Sequence, residues 1–148
     1  MSACAFAGLA AAKRLAGYGY QVTLVDRRNY HLFQSLLYQV AAGGLSPGDI
    51  AYPLRTVLKR YQNARVLLAK LVDVDPETQR VLLQAPAEQP LVLGYSQLIL
   101  ATGVAHCYFG NDHWAEHAPE LKTVTEALDM RVRVLRAFEA AELATIAA

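Results

Sequence analysis

The stretch Phe6-Ala7-Gly8-Leu9-Ala10-Ala11-Ala12-Lys13-Arg14-Leu15-Ala16-Gly17-Tyr18-Gly19-Tyr20-Gln21-Val22-Thr23-Leu24-Val25-Asp26 decides how this chain is interpreted. Its end is the clearest part. Gln21 to Asp26 is a short apolar, β-branched run closed by an acid, the pattern of a buried parallel strand. Before it, Leu9, Ala12, Leu15 and Ala16 share one face of a helix expected from Phe6 to Tyr18, with Gly17 and Gly19 at its end. Helix, tight turn, strand and terminal acid make the second half of a dinucleotide-binding βαβ unit, whose first half is a strand entering Gly-x-Gly-x-x-Gly. Taken alone, a helix–strand–Asp unit is as readily a plain packing unit.

With Gly8 as the third glycine, the first two positions are Ala3 and Ala5, and only Met1-Ser2 precede them. The expectation is a unit whose first strand is missing. The first glycine permits a sharp turn, the second lets backbone approach a pyrophosphate, and the third lets helix and strand pack closely. Alanine at the second position places a methyl group where phosphate oxygens would sit. Asp26 stands about twenty residues beyond the loop, where an acid accepts hydrogen bonds from a ribose.

Composition limits the alternatives. The 148 residues, 54% of them hydrophobic, suffice for one domain with a core. A net charge of +1 and the lack of a basic run argue against nucleic acid as partner. Cys4 and Cys107 form no CxxC pair, which excludes a disulfide framework, a zinc knuckle and a dithiol redox centre on spacing. No basic-then-apolar leader is present and no apolar run reaches about eighteen residues. The expectation is therefore a chain that is cytosolic or peripheral and does not span a membrane.

The connection Arg27-Arg28-Asn29-Tyr30-His31-Leu32-Phe33-Gln34-Ser35-Leu36-Leu37-Tyr38-Gln39-Val40-Ala41-Ala42-Gly43-Gly44-Leu45-Ser46-Pro47 is unusual for its aromatics, histidine and glutamines. A long polar-aromatic connection after such a strand often covers a ligand, although Tyr30, Phe33 and Tyr38 serve equally as core filling.

Here the sequence resembles the type II NADH dehydrogenases, single-subunit FAD-containing NADH:quinone oxidoreductases. The likeness rests on Val25-Asp26-Arg27-Arg28-Asn29-Tyr30-His31-Leu32-Phe33-Gln34, on Leu36-Leu37-Tyr38-Gln39-Val40-Ala41 with Gly43-Gly44-Leu45-Ser46-Pro47, and on Ile50-Ala51-Tyr52-Pro53-Leu54-Arg55. It continues through Leu100-Ala101-Thr102-Gly103 and Tyr108-Phe109-Gly110, and spans Phe6 to about Glu142. The resemblance implies an α/β fold, an incomplete Rossmann-like FAD-binding domain with a parallel sheet and an antiparallel meander. It implies cofactor contact at Phe6, Ala7, Gly8, Asp26, Arg27, Val72, Ala101, Thr102 and Gly103, with Asp26 on the FAD ribose. Gln39, Gly43 and Gly44 would lie on the quinone and flavin side. NADH and a quinone would be the substrates, a membrane surface the partner through a region absent here, and a homodimer the assembly of the full-length family. Two departures stand out: the family's Gly-Gly-Gly is Ala3-Cys4-Ala5, and a proline expected after Gln34 is Ser35.

Further along, Ser46 is an N-cap candidate with Pro47 at the first helical position. Ile50, Leu54, Val57, Leu58 and Tyr61 keep helical spacing, and Pro53 should restart or kink that helix. Arg65 to Val74 suggests one strand, Asp75-Pro76-Glu77-Thr78 a turn, Arg80 to Leu83 a return strand, and Leu91-Val92-Leu93 a third antiparallel piece. Gln97-Leu98-Ile99-Leu100-Ala101 suggests a second buried parallel strand, ending in a small residue, a hydroxyl and a glycine that let a ligand approach. His106, Cys107, His113 and His117 offer no metal-site spacing beyond the pair His113/His117, so no metal is expected. Thr123 and Glu126 form a capping box. The helix after it carries an apolar stripe, Val124, Leu128, Val132, Leu135 and Phe138, with Arg131, Arg133 and Arg136 mostly off it. That pattern suits a helix packed on a sheet, and alternatively a membrane-surface element.

The whole of 1–148 is thus expected to be a partial FAD-binding domain, with the NADH-binding domain and the C-terminal membrane region absent. No acid–base dyad or nucleophile stands out, so the catalytic residues are left unassigned. The other readings are a non-enzymatic remnant and the FAD domain of another two-dinucleotide flavoprotein, such as a sulfide:quinone reductase.

Overall fold

The computed structural model describes residues 6–86 and 90–146. In chain order its elements are α1 Phe6–Gly17, β1 Val22–Asp26, β2 Tyr30–Leu32, α2 Leu37–Ala41, α3 Pro47–Ile50, β3 Ala51–Pro53 and α4 Leu54–Leu58. Then follow β4 Ala64–Leu68, β5 Lys70–Asp75, β6 Arg80–Gln84, β7 Pro90–Gly94 and α5 Val124–Ile146, with 3-10 turns at Gln34–Leu36 and Asp112–Glu116. The chain divides into two compact units: Met1–His31 with Tyr52–Val104, and Leu32–Ala51 with Ala105–Ala148.

In the first unit β1 and β4 run parallel, from Val22 opposite Ala64 to Asp26 opposite Leu68. The helix α1 covers them with its alanine-rich face. Leu9 joins Leu54, Leu58 and Val66 in a core that Leu24, Val57, Tyr61 and Ala64 surround. At its end Gly19 takes a left-handed φ of +88°. Gly19 N–H donates to Ala16 O at 3.0 Å and Tyr20 N–H to Leu15 O at 3.2 Å, a Schellman stop. The Asn63 amide holds this corner, donating to Ala16 O at 2.9 Å and Tyr20 O at 2.7 Å, while Asn63 O accepts Val22 N–H at 2.8 Å.

The expected single strand from Arg65 to Val74 is two strands. Ala69 breaks it: buried, it donates its N–H to Asp26 O at 2.9 Å, and the chain leaves the parallel pair for the meander. There β5, β6 and β7 are antiparallel, as anticipated, over a core of Ala69, Val81 and Leu83. Asp75 makes the first turn by accepting Glu77 N–H at 3.0 Å and Thr78 N–H at 3.1 Å at one oxygen, and the Thr78 hydroxyl at 2.5 Å at the other. These bonds, the Thr78 hydroxyl above all, hold its carboxyl below the usual range.

Residues 97–101 are not the expected buried strand. They take no regular structure, and Leu98, Ile99 and Leu100 are exposed. A strand needs a ladder partner, and among the described residues β1 pairs only with β4.

The second unit contains α2, α3 and α5. Helix α2 buries Leu37, Val40 and Ala41 and stops as α1 does: Gly43 has φ +81°, Gly43 N–H donates to Val40 O at 3.1 Å and Gly44 N–H to Gln39 O at 2.8 Å. Ser46 caps α3 as expected, with Asp49 accepting Ser46 N–H at 3.0 Å. Proline 53 ends the helical spacing in the way anticipated, because α4 starts afresh after it. The Thr123–Glu126 capping box is also present: Thr123 N–H donates to the Glu126 carboxylate at 3.0 Å and Glu126 N–H to Thr123 Oγ1 at 3.2 Å.

Within its own unit the stripe on α5 is not buried. Leu128, Val132, Leu135 and Phe138 are exposed, at 37%, 44%, 54% and 68%. The helix packs against α2, and Ala127 is its buried residue. A five-residue helix cannot cover a 23-residue one, so the stripe continues beyond its partner.

Replacing the Asn63 amide should be costly because it satisfies two carbonyls around one helix stop. Asn63→Ala is expected to lower stability by about 1–2 kcal/mol, measured by chemical denaturation. A loss of a few tenths would show that the corner holds without it.

Candidate functional site

The C-terminal end of β1 in the first unit gathers most of the candidate residues. Asp26 is 1% exposed, the one buried charged residue among those described. One carboxylate oxygen accepts Arg28 N–H at 2.7 Å, which turns the chain just past the strand. Arg27 is exposed, while Arg28 is half-buried with its guanidinium 5.7 Å from the Tyr30 ring centre. That turn, closed two residues past the carboxylate, leaves Arg28 half-buried and Arg27 exposed.

The first turn of α1 brings Phe6, Ala7 and Gly8. The Phe6 ring meets His31 edge-on, with centroids 4.9 Å apart and planes at 84°. A Cβ on Gly8 would come within 3.1 Å of Ala101 Cβ. That close approach is the role the third glycine of a dinucleotide loop plays, and it ties Ala101 to α1 although no strand forms there. Thr102 follows half-buried, and Gly103 has φ +72°.

Other expected residues come from other parts of the chain. Val72 is 54% exposed on β5, at a register shift between Leu71 and Asp73. Gln39, Gly43 and Gly44 belong to the second unit. There the Gln39 amide donates to the Tyr38 hydroxyl at 2.8 Å. The Arg131 guanidinium lies over Gly43, its carbon and two nitrogens 3.6 Å from where a Cβ would be. Ala3, Cys4 and Ala5, on which the glycine-loop substitution rests, lie outside the described residues.

Arg28, His31 and Arg131 are additions to the expected set. Arg28 had a signal in the turn-forming tendency of Asp26, whose carboxylate accepts the N–H two residues on; His31 and Arg131 depend on contacts far apart in sequence. Among the described residues no three His, Cys, Asp or Glu side chains converge as a metal site. His106 packs on Tyr108 at 4.3 Å and His113 on Trp114 at 6.0 Å. The Tyr108 hydroxyl, whose pKa burial raises with help from Glu120 and Glu126, donates to Ala118 O at 2.5 Å.

The donor set suits a nucleotide. A buried carboxylate at a strand end takes ribose hydroxyls, and a side-chain-free position on α1 lets helix and chain close against each other. Beside them, Arg28 Nε and Nη1 and His31 Nδ1 are buried without hydrogen-bond partners.

The pyridine nucleotide-disulphide oxidoreductase family matches residues 4–144, and the chain belongs to that family. It is 46% identical over 140 residues to the type II NADH:quinone oxidoreductase NdhA of Mycobacterium tuberculosis, covering 95% of this chain and 30% of that protein. A probable NADH dehydrogenase of Dictyostelium discoideum is 29% identical over 142 residues, 95% of this chain and 31% of its own. NDH2 from Plasmodium falciparum in complex with RYL-552 superposes with a TM-score of 0.75 at 27% identity, over 83% of this chain and 25% of that one. The sulfide:quinone oxidoreductase of Aquifex aeolicus shares the fold, with a TM-score of 0.75 at 24% identity over 89% of this chain and 30% of that one. The resemblance seen in the sequence is thereby borne out. The chain spans about 30% of the length of the curated relatives it matches.

The Gly8–Ala101 approach makes a reciprocal prediction. Gly8→Val should lower stability by about 1–3 kcal/mol through overpacking, and adding Ala101→Gly should recover part of that loss. Thermal melts of the two single variants and the double check it; strictly additive losses would show that the two positions do not press on each other.

Proposed function

We propose that the chain is the FAD-binding part of a type II NADH:quinone oxidoreductase. The observation that carries this reading is Asp26, a carboxylate 1% exposed at the end of β1, in a chain 46% identical to such an enzyme over 95% of its length. In this reading Asp26 accepts the ribose hydroxyls. Phe6, Ala7 and Gly8 bring the positive end of α1 toward the pyrophosphate. Ala101, Thr102 and Gly103 lie against the cofactor, and Arg27 and Val72 line its outer side. In the second unit Gln39, Gly43 and Gly44 keep the quinone- and flavin-facing role that the resemblance implies.

Hydride acceptance from NADH and electron delivery to a quinone are the chemistry that a bound flavin supplies. This chain's own share is to bind, to orient and to exclude water. That division accounts for the lack of an acid–base dyad among the candidate residues. No helix among the described residues is long and apolar enough to cross a membrane; peripheral attachment at the cytoplasmic face is part of the proposal, as is the dimer.

Flavin titration tests the assignment. Asp26→Ala should weaken FAD by about 1–3 kcal/mol, the usual loss for a hydrogen bond to a charged group, and equal affinity in both chains would remove Asp26 from the site. Residues 1–148 hold one helix–strand–Asp unit of the dinucleotide kind, with Gly8 alone of its loop glycines, and no second such stretch for NADH. The purified chain supplied with FAD, NADH and a soluble quinone is therefore expected to turn over negligibly. Sustained NADH oxidation would mean that NADH binds elsewhere on it.

A further inference from the structure

Three buried nitrogen atoms within four residues lack hydrogen-bond partners: Arg28 Nε, Arg28 Nη1 and His31 Nδ1. Burying such an atom without a partner is costly, most of all on a charged group, so their concentration in one corner calls for a ligand. Arg28 is turned inward by the chain rather than by an acceptor. Its backbone N–H bonds the Asp26 carboxylate at 2.7 Å, and the Tyr30 ring 5.7 Å from its guanidinium carbon offers a π face but no lone pair for an N–H in the guanidinium plane. His31 is held by the edge-on Phe6 ring at 4.9 Å, which places its imidazole beside the first turn of the twelve-residue helix α1.

We propose that Arg28 and His31 are the phosphate-contacting side chains of the nucleotide site, Arg28 by its charged fork and His31 by a hydrogen bond at Nδ1. The inference rests on the dinucleotide reading above. A guanidinium has donors only, so its missing partner is an acceptor, and the positive end of α1 makes a negatively charged acceptor the favoured one. Asp26, a carboxylate, is an acceptor and so has the opposite polarity. A ligand that offers hydroxyls to one and anionic oxygens to the other has the chemistry of a ribose phosphate. The pyrophosphate of a dinucleotide therefore sits between backbone N–H groups of α1 on one side and Arg28 with His31 on the other.

The test compares ADP with adenosine, which keeps the ribose and lacks phosphate. Calorimetric titrations use the wild-type chain, Arg28→Gln, Arg28→Lys and His31→Phe; the last keeps a ring for Phe6 to pack on. Arg28→Gln and His31→Phe are each expected to weaken ADP about tenfold, the loss of one charge-assisted hydrogen bond. Adenosine should stay within about twofold, and Arg28→Lys should recover part of the ADP affinity. ADP affinity unchanged in both variants, or equal loss for ADP and adenosine, overturns the proposal. If Arg28→Gln does not fold, the wild type alone decides: inorganic pyrophosphate should displace ADP and leave adenosine bound, and failure to displace ADP overturns it. A wild-type chain that takes none of FAD, ADP and adenosine refutes the dinucleotide reading and this inference with it. A wild type that binds ADP beside variants that match it refutes this inference alone.

Discussion

The backbone of β1 is tied at both ends, and the first unit is built on those ties. At its start Val22 N–H meets Asn63 O at 2.8 Å; at its finish Asp26 O accepts Ala69 N–H at 2.9 Å. Between them β4 has one register available, from Ala64 to Leu68. A one-residue slip would turn Val66 out of the core and break both ties at once. Because Asn63 also holds the end of α1, the same anchor fixes where the first turn of that helix stands relative to the end of β1. The candidate site is the region bounded by those two points.

The acid and the base of that region are segregated by the chain's own geometry. Asp26 ends the strand on its inner face, and the hydrogen bond from Arg28 N–H to its carboxylate turns the next residues sharply. That turn brings Arg28 inward and leaves Arg27 in water. A single local bond thus decides which of two adjacent arginines belongs to the interior.

What the sequence disclosed was local. Gly19 ends α1, Ser46 and Thr123 cap their helices, and Asp75 makes its turn, each through bonds closed within about five residues. The α/β class and the meander follow from such signals in order. The errors came where a partner distant in sequence decides. Ala69 splits a run of apolar residues because it bonds to Asp26, and no periodicity in Arg65 to Val74 foretells that. Residues 97–101 have the composition of a strand and no ladder to join among the described residues. The stripe on α5 has the spacing of a buried face, yet Leu128, Val132, Leu135 and Phe138 are exposed. In the site, Gly8 and Asp26 were legible because each answers a motif, whereas His31 is placed by Phe6, which belongs to another element.

The glycines in these contacts restrict substitution in different ways, and their tolerance to drift should differ accordingly. Gly19 is constrained by its left-handed backbone alone, with open space around it, so asparagine is an admissible neutral neighbour. Gly8 has the reverse constraint, space without backbone strain, and a side chain there requires Ala101 to give way. Gly43 joins a left-handed backbone to the Arg131 guanidinium at 3.6 Å. An aspartate there would meet that cation directly, so position 43 is one where a new charge could arise already paired.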